Sequence, residues 1–209
     1  MMELENVTLR LNGVELLSLS LVVSPGEVVT VMGPSGAGKS ALLGYVSGTL
    51  SPAFEASGHV KLNGRVLDDL PPEKRRVGLL FQDDLLFPHL SVAGNLGFGL
   101  KPGPNRARII EAALADAGLA GFGQRDPATL SGGQRARVSL LRVLLSEPEA
   151  LLLDEPFSKL DPALRAQFRN FVFDSARQAG LAVLLVTHDF EDAKAAGGPI
   201  LRVGGLDDF

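Results

Sequence analysis

The chain has 209 residues, which is enough for one domain with a substantial core and a lobe inserted into it. The net charge of −4 argues against nucleic acid as the main partner, and the absence of cysteine excludes disulfides, thiolate metal sites and a cysteine nucleophile. No apolar run approaches the roughly 18 residues of a membrane-spanning helix, so we expect any membrane association to be indirect, through another chain.

The first elements lead into a glycine-rich turn. Short strands are predicted over residues 3–23, and Asn12-Gly13 is a hairpin signal between them. The apolar, β-branched residues 28–32 predict a buried strand, and residues 40–48 predict a helix. Between that strand and that helix lies the segment Gly33-Pro34-Ser35-Gly36-Ala37-Gly38-Lys39-Ser40.

This segment has the G-x-x-x-x-G-K-[ST] spacing of a phosphate-binding loop. A helix that begins at such a turn directs free backbone N–H groups and its dipole at one point, which suits an anion. We expect Lys39 to reach the β- and γ-phosphates of a nucleotide and the Ser40 hydroxyl to ligate Mg²⁺.

The composition of the chain changes after a predicted strand that ends at Gln82. Strands are predicted at 59–62 and 77–81, and the second ends at Gln82. Residues 83–128 are rich in Gly, Pro and Ala, with helical spacing of apolar residues near 104–117. We therefore predict an α-helical lobe inserted into an α/β core.

A second helix start follows at Leu130-Ser131-Gly132-Gly133-Gln134, before a helix predicted at 131–146. Its two glycines expose backbone N–H groups, which predicts another anion site. Ser131 and Gln134 also have the spacing of an ordinary capping box, and the segment alone does not separate the two interpretations.

Acidic residues follow the next predicted strand, at 150–154. Asp154 ends that strand, where a carboxylate can hold Mg²⁺ through water, and Glu155 is a candidate general base. A solvated strand end is the alternative interpretation of the pair.

The last elements complete a sheet. A helix begins at Asp161-Pro162, and strands are predicted at 182–187 and 200–203. Strands separated by helices favour a largely parallel sheet. The predicted organisation is a single domain, with a core of residues 1–82 and 147–209 and a helical subdomain of residues 83–146.

The order of these motifs resembles that of the ATP-binding cassette (ABC) ATPases over nearly the whole chain. The resemblance rests on the phosphate loop, Gln82, Leu130-Ser131-Gly132-Gly133-Gln134, Leu151-Leu152-Leu153-Asp154-Glu155-Pro156 and Thr187-His188-Asp189. Residues 81–92 are similar to the segment that touches the permease in bacterial importers, and residues 126–138 to YnjD-type cassettes.

The resemblance implies an α/β fold of the P-loop NTPase (RecA-like) type. A parallel-sheet core would carry an N-terminal antiparallel β subdomain and an inserted α-helical subdomain. It also implies ATP and Mg²⁺ as cofactors, with Glu155 as base, His188 on the γ-phosphate, and Gln82 with Ser40 and Asp154 near the metal. Considered alone, His188 is more typical of a structural histidine and Gln82 of a surface residue.

A head-to-tail dimer also follows from the resemblance. Ser131, Gly132, Gly133 and Gln134 of one copy would cover ATP held on Gly33–Ser40 of the other. Asp161 matches the loop that couples the two sites, and it is also a plain helix cap.

The chain departs from the family pattern at three positions. Leu11 stands where an aromatic residue usually stacks on adenine, so we expect it to give apolar contact alone. Ala41 replaces the Thr that usually follows the phosphate-loop Ser, and Lys159 replaces a usual Ala.

The expected function is the ATPase subunit of an ABC importer. We expect a homodimer at the cytoplasmic face of the inner or plasma membrane, docked on a permease near Gln82–Val92, with no nucleic-acid partner. The alternatives are a cassette of an exporter or lipoprotein-extraction system, a soluble ABC ATPase and a small-molecule P-loop kinase.

Overall fold

The computed structural model of this chain describes residues 1–204; the last five residues of the predicted core segment 147–209 lie outside the described residues. Two compact units divide the chain. The core unit contains Met1–Leu79, Glu149–Glu155 and the residues from Phe173 onward, and the helical unit contains Leu80–Pro148 and Pro156–Val172. The subdomain ranges inferred from the sequence stay predictions.

Nine strands and seven α-helices are found within the described residues. In chain order they are β1 (Met2–Leu11), β2 (Val14–Val23), β3 (Val28–Met32), α1 (Lys39–Ser47), β4 (Phe54–Leu62), β5 (Arg65–Val66), α2 (Pro72–Arg75), β6 (Val77–Leu80), α3 (Val92–Gly99), α4 (Arg106–Asp116), α5 (Gly132–Leu144), β7 (Ala150–Asp154), α6 (Pro162–Gln178), β8 (Ala182–Thr187), α7 (Phe190–Ala196) and β9 (Ile200–Arg202).

The N-terminal strands form an antiparallel sheet in the order β2-β1-β4-β5. The predicted hairpin turn joins β1 to β2, with φ of 52° at Asn12 and 77° at Gly13. Two positive φ angles are what a two-residue type I′ turn needs. One face of this sheet is buried, with Leu4, Val7 and Leu9 at most 1% exposed.

A five-stranded sheet of order β6-β7-β8-β3-β9 forms the centre of the core. Strand β3 pairs in parallel with β8 and β9, and β7 pairs in parallel with β8. Residues 150–153 and 182–187 are all buried, as expected of parallel strands covered on both faces. The predicted fold class is therefore confirmed: an antiparallel sheet accompanies a parallel α/β core.

The helical unit packs α3, α4 and α5 around its own apolar cluster, which includes Leu96, Leu114 and Val138. The predicted helices at 104–117 and 131–146 are found as α4 and α5. Helix α3 was not predicted, because glycines lower its intrinsic helix propensity. Packing overrides that propensity: an added Cβ on Gly99 would lie 2.3 Å from the carbonyl oxygen of Arg142, so glycine permits close approach to α5.

The side chain of Asn95 forms hydrogen bonds with the backbone of the segment that precedes α3. Its side chain is fully buried, and its Oδ1 accepts from the backbone N–H of Phe87 at 2.8 Å. Its Nδ2 donates to the carbonyls of Phe87 (3.1 Å), Leu90 (3.3 Å) and Ser91 (3.1 Å). One buried amide thus fixes the backbone of residues 87–91.

We expect Asn95→Ala to lower the free energy of unfolding by about 2–4 kcal/mol, because buried backbone groups lose their partners. The measurement is urea denaturation followed by circular dichroism. Asn105→Ala is the matched control, since Asn105 is exposed and makes no side-chain cap bond to α4, and it should change stability by at most about 0.5 kcal/mol. Equal effects of the two substitutions would contradict this role of Asn95.

Two further short helices, α2 and α7, were also not predicted, and β4 begins five residues before the predicted strand at 59–62. Asp189 caps α7, its side chain accepting from the N–H of Glu191 at 2.7 Å, so a capping signal was present in the sequence. Within residues 1–204, no helix combines the length and the apolar character that crossing a membrane requires.

Candidate nucleotide site

The phosphate loop connects β3 to α1 in the core unit. Gly36 and Gly38 have φ of 85° and 81°, a conformation that side-chain-bearing residues rarely adopt. An added Cβ on Gly33 would lie 2.5 Å from the carbonyl oxygen of Val203, so the backbone requires glycine there. Pro34, Ser35 and Gly36 are exposed, whereas Ala37 is buried and Ala41 packs against the core. The loop therefore presents backbone to solvent at the N-terminus of α1.

Lys39 lies folded into this loop. Its side chain is buried, and Nζ donates to the carbonyl oxygens of Gly33 (2.8 Å) and Pro34 (2.9 Å). An ammonium has three donors, so it can hold the loop's own carbonyls and still approach an anion beside them. The cation thus lies at the point where the α1 dipole also favours negative charge.

Ser40 and Asp154 meet although 114 residues separate them, since Ser40 Oγ donates to Asp154 Oδ1 at 3.0 Å. Burial raises the pKa of Asp154, the Ser40 hydrogen bond opposes that shift, and nearby Glu155 adds to it. A hydroxyl beside a carboxylate suits Mg²⁺, which binds through one or two protein groups, phosphate and water. Within residues 1–204, no group of three or more acidic or histidine side chains is placed to hold a metal ion.

The raised pKa of Asp154 has a consequence for stability. Above its folded-state pKa the buried carboxylate is ionised, which costs stability; below its unfolded-state pKa both states are protonated and the cost vanishes. We therefore expect Asp154→Asn to raise the Tm of the nucleotide-free protein at neutral pH. The gain should shrink as the pH falls toward the ordinary range of an aspartate. Thermal melts at several pH values would measure this, and a gain that grows with acidification would contradict it.

Glu155 follows β7 in a strained conformation. Its φ of 44° is unusual for a residue with a side chain and costs about 1–2 kcal/mol. Its backbone N–H donates to the Val186 carbonyl at 3.0 Å, which ties it to β8. A hydrogen bond of 3.0 Å joins its Oε1 to Nδ1 of His188. The carboxylate and the imidazole are thus held together at the carboxyl ends of two neighbouring parallel strands, where α/β sheets place their ligand sites.

A buried acid supports the turn that carries His188. Thr187 Oγ1 donates to Asp192 Oδ2 at 3.3 Å and accepts from the N–H of Asp189 at 3.1 Å. Asp192 is only 1% exposed. Asp192 was not among the predicted site residues. In the sequence it is only an acidic residue in the first turn of a short helix, and nothing there indicates its contact with Thr187.

The predicted residues Gln82 and Ser131–Gln134 lie in the helical unit. Gln82 Nε2 donates to Ser158 Oγ at 3.1 Å, and Lys159 forms an ion pair with Asp83. These contacts join the segment after β6 to the segment before α6. Lys159, noted above as a departure from the family pattern, thus has a partner in this chain.

The Ser131 segment forms a complete capping box. The N–H of Ser131 donates to Gln134 Oε1 at 2.9 Å, and that of Gln134 donates to Ser131 Oγ at 3.3 Å. Gly133 is buried against Leu164, whereas Gly132 is half-buried. The capping interpretation therefore holds, and the role of Ser131, Gly132, Gly133 and Gln134 toward a nucleotide stays a prediction.

Leu11 ends β1, half-buried, in the core unit. It pairs with Val14 of β2 and with Phe54 of β4. The structure thus collects Gly33–Ala41, Leu11, Asp154, Glu155 and His188 in the core unit, and it places Gln82 and Ser131–Gln134 in the helical unit.

Comparison with known proteins shows the family to which the chain belongs. Residues 16–158 match the family described as ABC transporter. The chain is 48% identical to the uncharacterized ABC transporter ATP-binding protein YnjD of Escherichia coli K12, over 93% of this chain and 92% of that protein. It is 49% identical to the thiamine import ATP-binding protein ThiQ of Cereibacter sphaeroides, over 81% and 74% of the two chains.

A third relative is the spermidine/putrescine import ATP-binding protein PotA of Oleidesulfovibrio alaskensis, at 45% identity over 85% of this chain and 48% of that protein. The family match covers more than half of the chain and contains its phosphate loop, Gln82, Ser131–Gln134, Asp154 and Glu155. This chain therefore belongs to the ABC transporter family, and it is one of the family's ATP-binding ATPase subunits.

Proposed function

We propose that this protein powers an ABC importer, as a homodimer docked on a membrane permease at the cytoplasmic face of the membrane. The main support for ATPase chemistry is the hydrogen bond between Ser40 and Asp154. It lies beside the ammonium group of Lys39, which is folded into the phosphate loop. A hydroxyl, a carboxylate and an ammonium lie together at the N-terminus of α1, and this arrangement supports the binding of phosphates there.

Mg²⁺ is the proposed metal, and it would neutralise charge on the β- and γ-phosphates. Ser40 and Asp154 would hold it, with Gln82 contributing as the family resemblance implies. Glu155 would orient and polarise the attacking water, and His188 would contact the γ-phosphate. The hydrogen bond between Glu155 and His188 supports these roles, because each group restricts the orientation of the other.

The dimer would close over ATP. Ser131, Gly132, Gly133 and Gln134 of the second copy would cover the nucleotide, supplying the N-terminus of α5 to its phosphates. A ligand that bridges two surfaces drives their association, and hydrolysis releases it. The capping box supports this role, because it fixes the backbone of the α5 N-terminus before any nucleotide arrives.

The permease would dock at residues 82–92. A cavity of about 520 Å³ in the helical unit is lined by Gln82–Leu86 and also by Arg135. Leu85 lines this cavity and is 54% exposed. Phe98 lies outside the cavity lining, is 70% exposed and packs in a tilted arrangement against Phe87 of the docking segment, with the ring centroids 4.8 Å apart. A concave surface with exposed apolar side chains suits an amphipathic segment of another protein.

The test is a tagged pull-down from detergent-solubilised membranes, with identification of the proteins that co-purify. Co-purification of a multi-span permease together with a solute-binding protein supports the importer. Phe98→Glu should reduce this capture, whereas Ile109→Glu, a matched control on α4 in the same unit, should not.

Other outcomes would identify the alternatives. A permease captured without a solute-binding protein favours an exporter or lipoprotein-extraction cassette, and capture of soluble proteins alone favours a soluble ABC ATPase. Phosphoryl transfer to an acceptor other than water would identify a kinase.

A further inference from the structure

Three polar side chains on one face of α5 bond to the docking segment (residues 82–92). Arg135, Ser139 and Arg142 have the i, i+4, i+7 spacing of residues on the same side of a helix. Arg135 Nε donates to Asp84 Oδ2 at 3.3 Å, and Ser139 Oγ donates to the Asp84 carbonyl oxygen at 2.8 Å. Arg142 donates from Nη1 to the Leu85 carbonyl oxygen at 2.9 Å and from Nη2 to that of Asp84 at 3.4 Å. Helix α5 therefore holds the backbone of two consecutive residues.

These bonds hold Leu85 in a strained backbone conformation. Its φ of 45° lies in the left-handed region, which leucine rarely adopts because its Cβ approaches the following carbonyl oxygen. Hydrogen bonds from a charged donor are stronger than neutral ones, so the guanidinium of Arg142 can offset this strain. The side chain of Leu85 lines the cavity and is more than half exposed, so this conformation presents it at the surface.

The printed partners of Arg142 are all uncharged. Besides the two carbonyls, Nη1 donates to Asn95 Oδ1 at 3.4 Å, and the guanidinium carbon lies 5.2 Å from the centre of the Phe87 ring. The side chain is half-buried, and no carboxylate of residues 1–204 forms an ion pair with it. Its contacts therefore depend on the planar fork of the guanidinium, and not on charge pairing.

We propose that Arg142, with Ser139, is a positioning residue for permease docking, and that it holds Leu85 in the left-handed conformation before the permease arrives. This inference rests on the proposed function, because residues 82–92 are the proposed docking site. An ordered surface binds more tightly than a mobile one, since less conformational freedom is lost on binding. Leu85 and Phe87 meet the permease in fixed positions, because both contact Arg142.

The position of Arg142 separates this role from ATP hydrolysis. It lies near the C-terminal end of α5, about 16 Å along the helix from Ser131. Its contacts in the described part of the chain include neither the phosphate loop nor Glu155. Loss of these contacts should therefore weaken docking and leave the basal rate of hydrolysis unchanged, a split that general unfolding would not produce.

The first experiment is hydrogen–deuterium exchange of the full chain without nucleotide, in the wild type and in Arg142→Lys. Lysine keeps the charge but lacks the planar fork that bonds to two carbonyls and covers the Phe87 ring. We expect peptides that span residues 84–91 to exchange about tenfold faster or more, as loss of a hydrogen bond from a charged group predicts. Equal exchange rates in the two proteins would overturn the inference.

The matched control is Arg137→Lys. Arg137 lies on the same helix and donates to a carbonyl oxygen outside the docking segment, that of Ala117, at 3.1 Å. Exchange at residues 84–91 should match the wild type in this variant. If Arg142→Lys does not fold, Ser139→Ala decides the inference, because it removes the bond to the Asp84 carbonyl. It should speed exchange at residues 84–91 by about threefold, and an unchanged rate would overturn the inference.

The second experiment compares docking with hydrolysis. Arg142→Lys should release phosphate from ATP within about twofold of the wild-type rate, and it should capture about tenfold less permease in the membrane pull-down. Full capture, or a parallel loss of hydrolysis, would overturn the role in docking. A wild-type chain that captures no permease would contradict the proposed function instead, and exchange at residues 84–91 would still decide whether Arg142 positions the segment.

Discussion

Glu155→Gln is expected to lower the rate of ATP hydrolysis by a factor of about 10²–10⁴ while ATP still binds, because a general base contributes an acceleration of that size. Glutamine keeps the size of the side chain, and its amide can still bond to Nδ1 of His188, 3.0 Å from Oε1 in the native protein. The backbone strain at this position should also stay the same, because φ is positive for either side chain. The substitution therefore removes proton acceptance and little else.

The measurement is phosphate release at saturating ATP, with size-exclusion chromatography of the same samples. Slow hydrolysis should leave ATP in place, so the variant should elute as a dimer in ATP and as the wild type does without it. Glu73→Gln, an exposed change on α2, should hydrolyse ATP at the wild-type rate. Turnover by Glu155→Gln within a few-fold of wild type would remove Glu155 from the role of base.

Lys39→Met is expected to weaken nucleotide binding by about 100-fold. Methionine fills much of the buried space of the lysine stem but removes the ammonium that donates to the carbonyls of Gly33 and Pro34. Hydrogen bonds that involve a charged group are worth about 1.5–3 kcal/mol each, and one to two of them account for the expected loss. Phosphate oxygens would then meet only backbone N–H groups and the α1 dipole.

Isothermal titration with AMP-PNP measures this loss, and a thermal melt without nucleotide checks the fold of the variant. Lys74→Met is the matched control, because Lys74 is exposed on α2 and lies outside the phosphate loop. A Kd for the Lys39 variant within about threefold of wild type would contradict the proposed position of the cation. A parallel loss in Lys74→Met would show that net charge, and not the loop, sets the affinity.

The sequence by itself determined the parts of this protein that depend on local chemistry. Glycines at positions 36 and 38 take up positive φ, so the loop can be recognised from its spacing between a predicted strand and a predicted helix. Strands β3, β7 and β8 were predicted from continuous apolar runs, because strands buried on both faces need them. The hairpin at Asn12-Gly13 follows from two residues that accept a type I′ turn.

Only the tertiary structure decided which distant residues meet. Ser40 reaches Asp154 across 114 positions, and Glu155 reaches His188 across 33, because parallel pairing aligns the carboxyl ends of strands that the sequence separates by helices.

Packing between distant segments also explains why helix α3 and the position of Leu16 were not predicted from the sequence. Helix α3 is stabilised by packing against α5 and not by its own propensity. A bulge between β1 and β2 leaves Leu16 as an extra residue, 3.2 Å by its Cβ from an ideal Cβ on Gly38 of the phosphate loop. The sequence does not reveal this contact, because pairing register depends on two strands at once. Composition and spacing describe one segment at a time, whereas these contacts are properties of pairs of segments brought together by burial of their apolar faces.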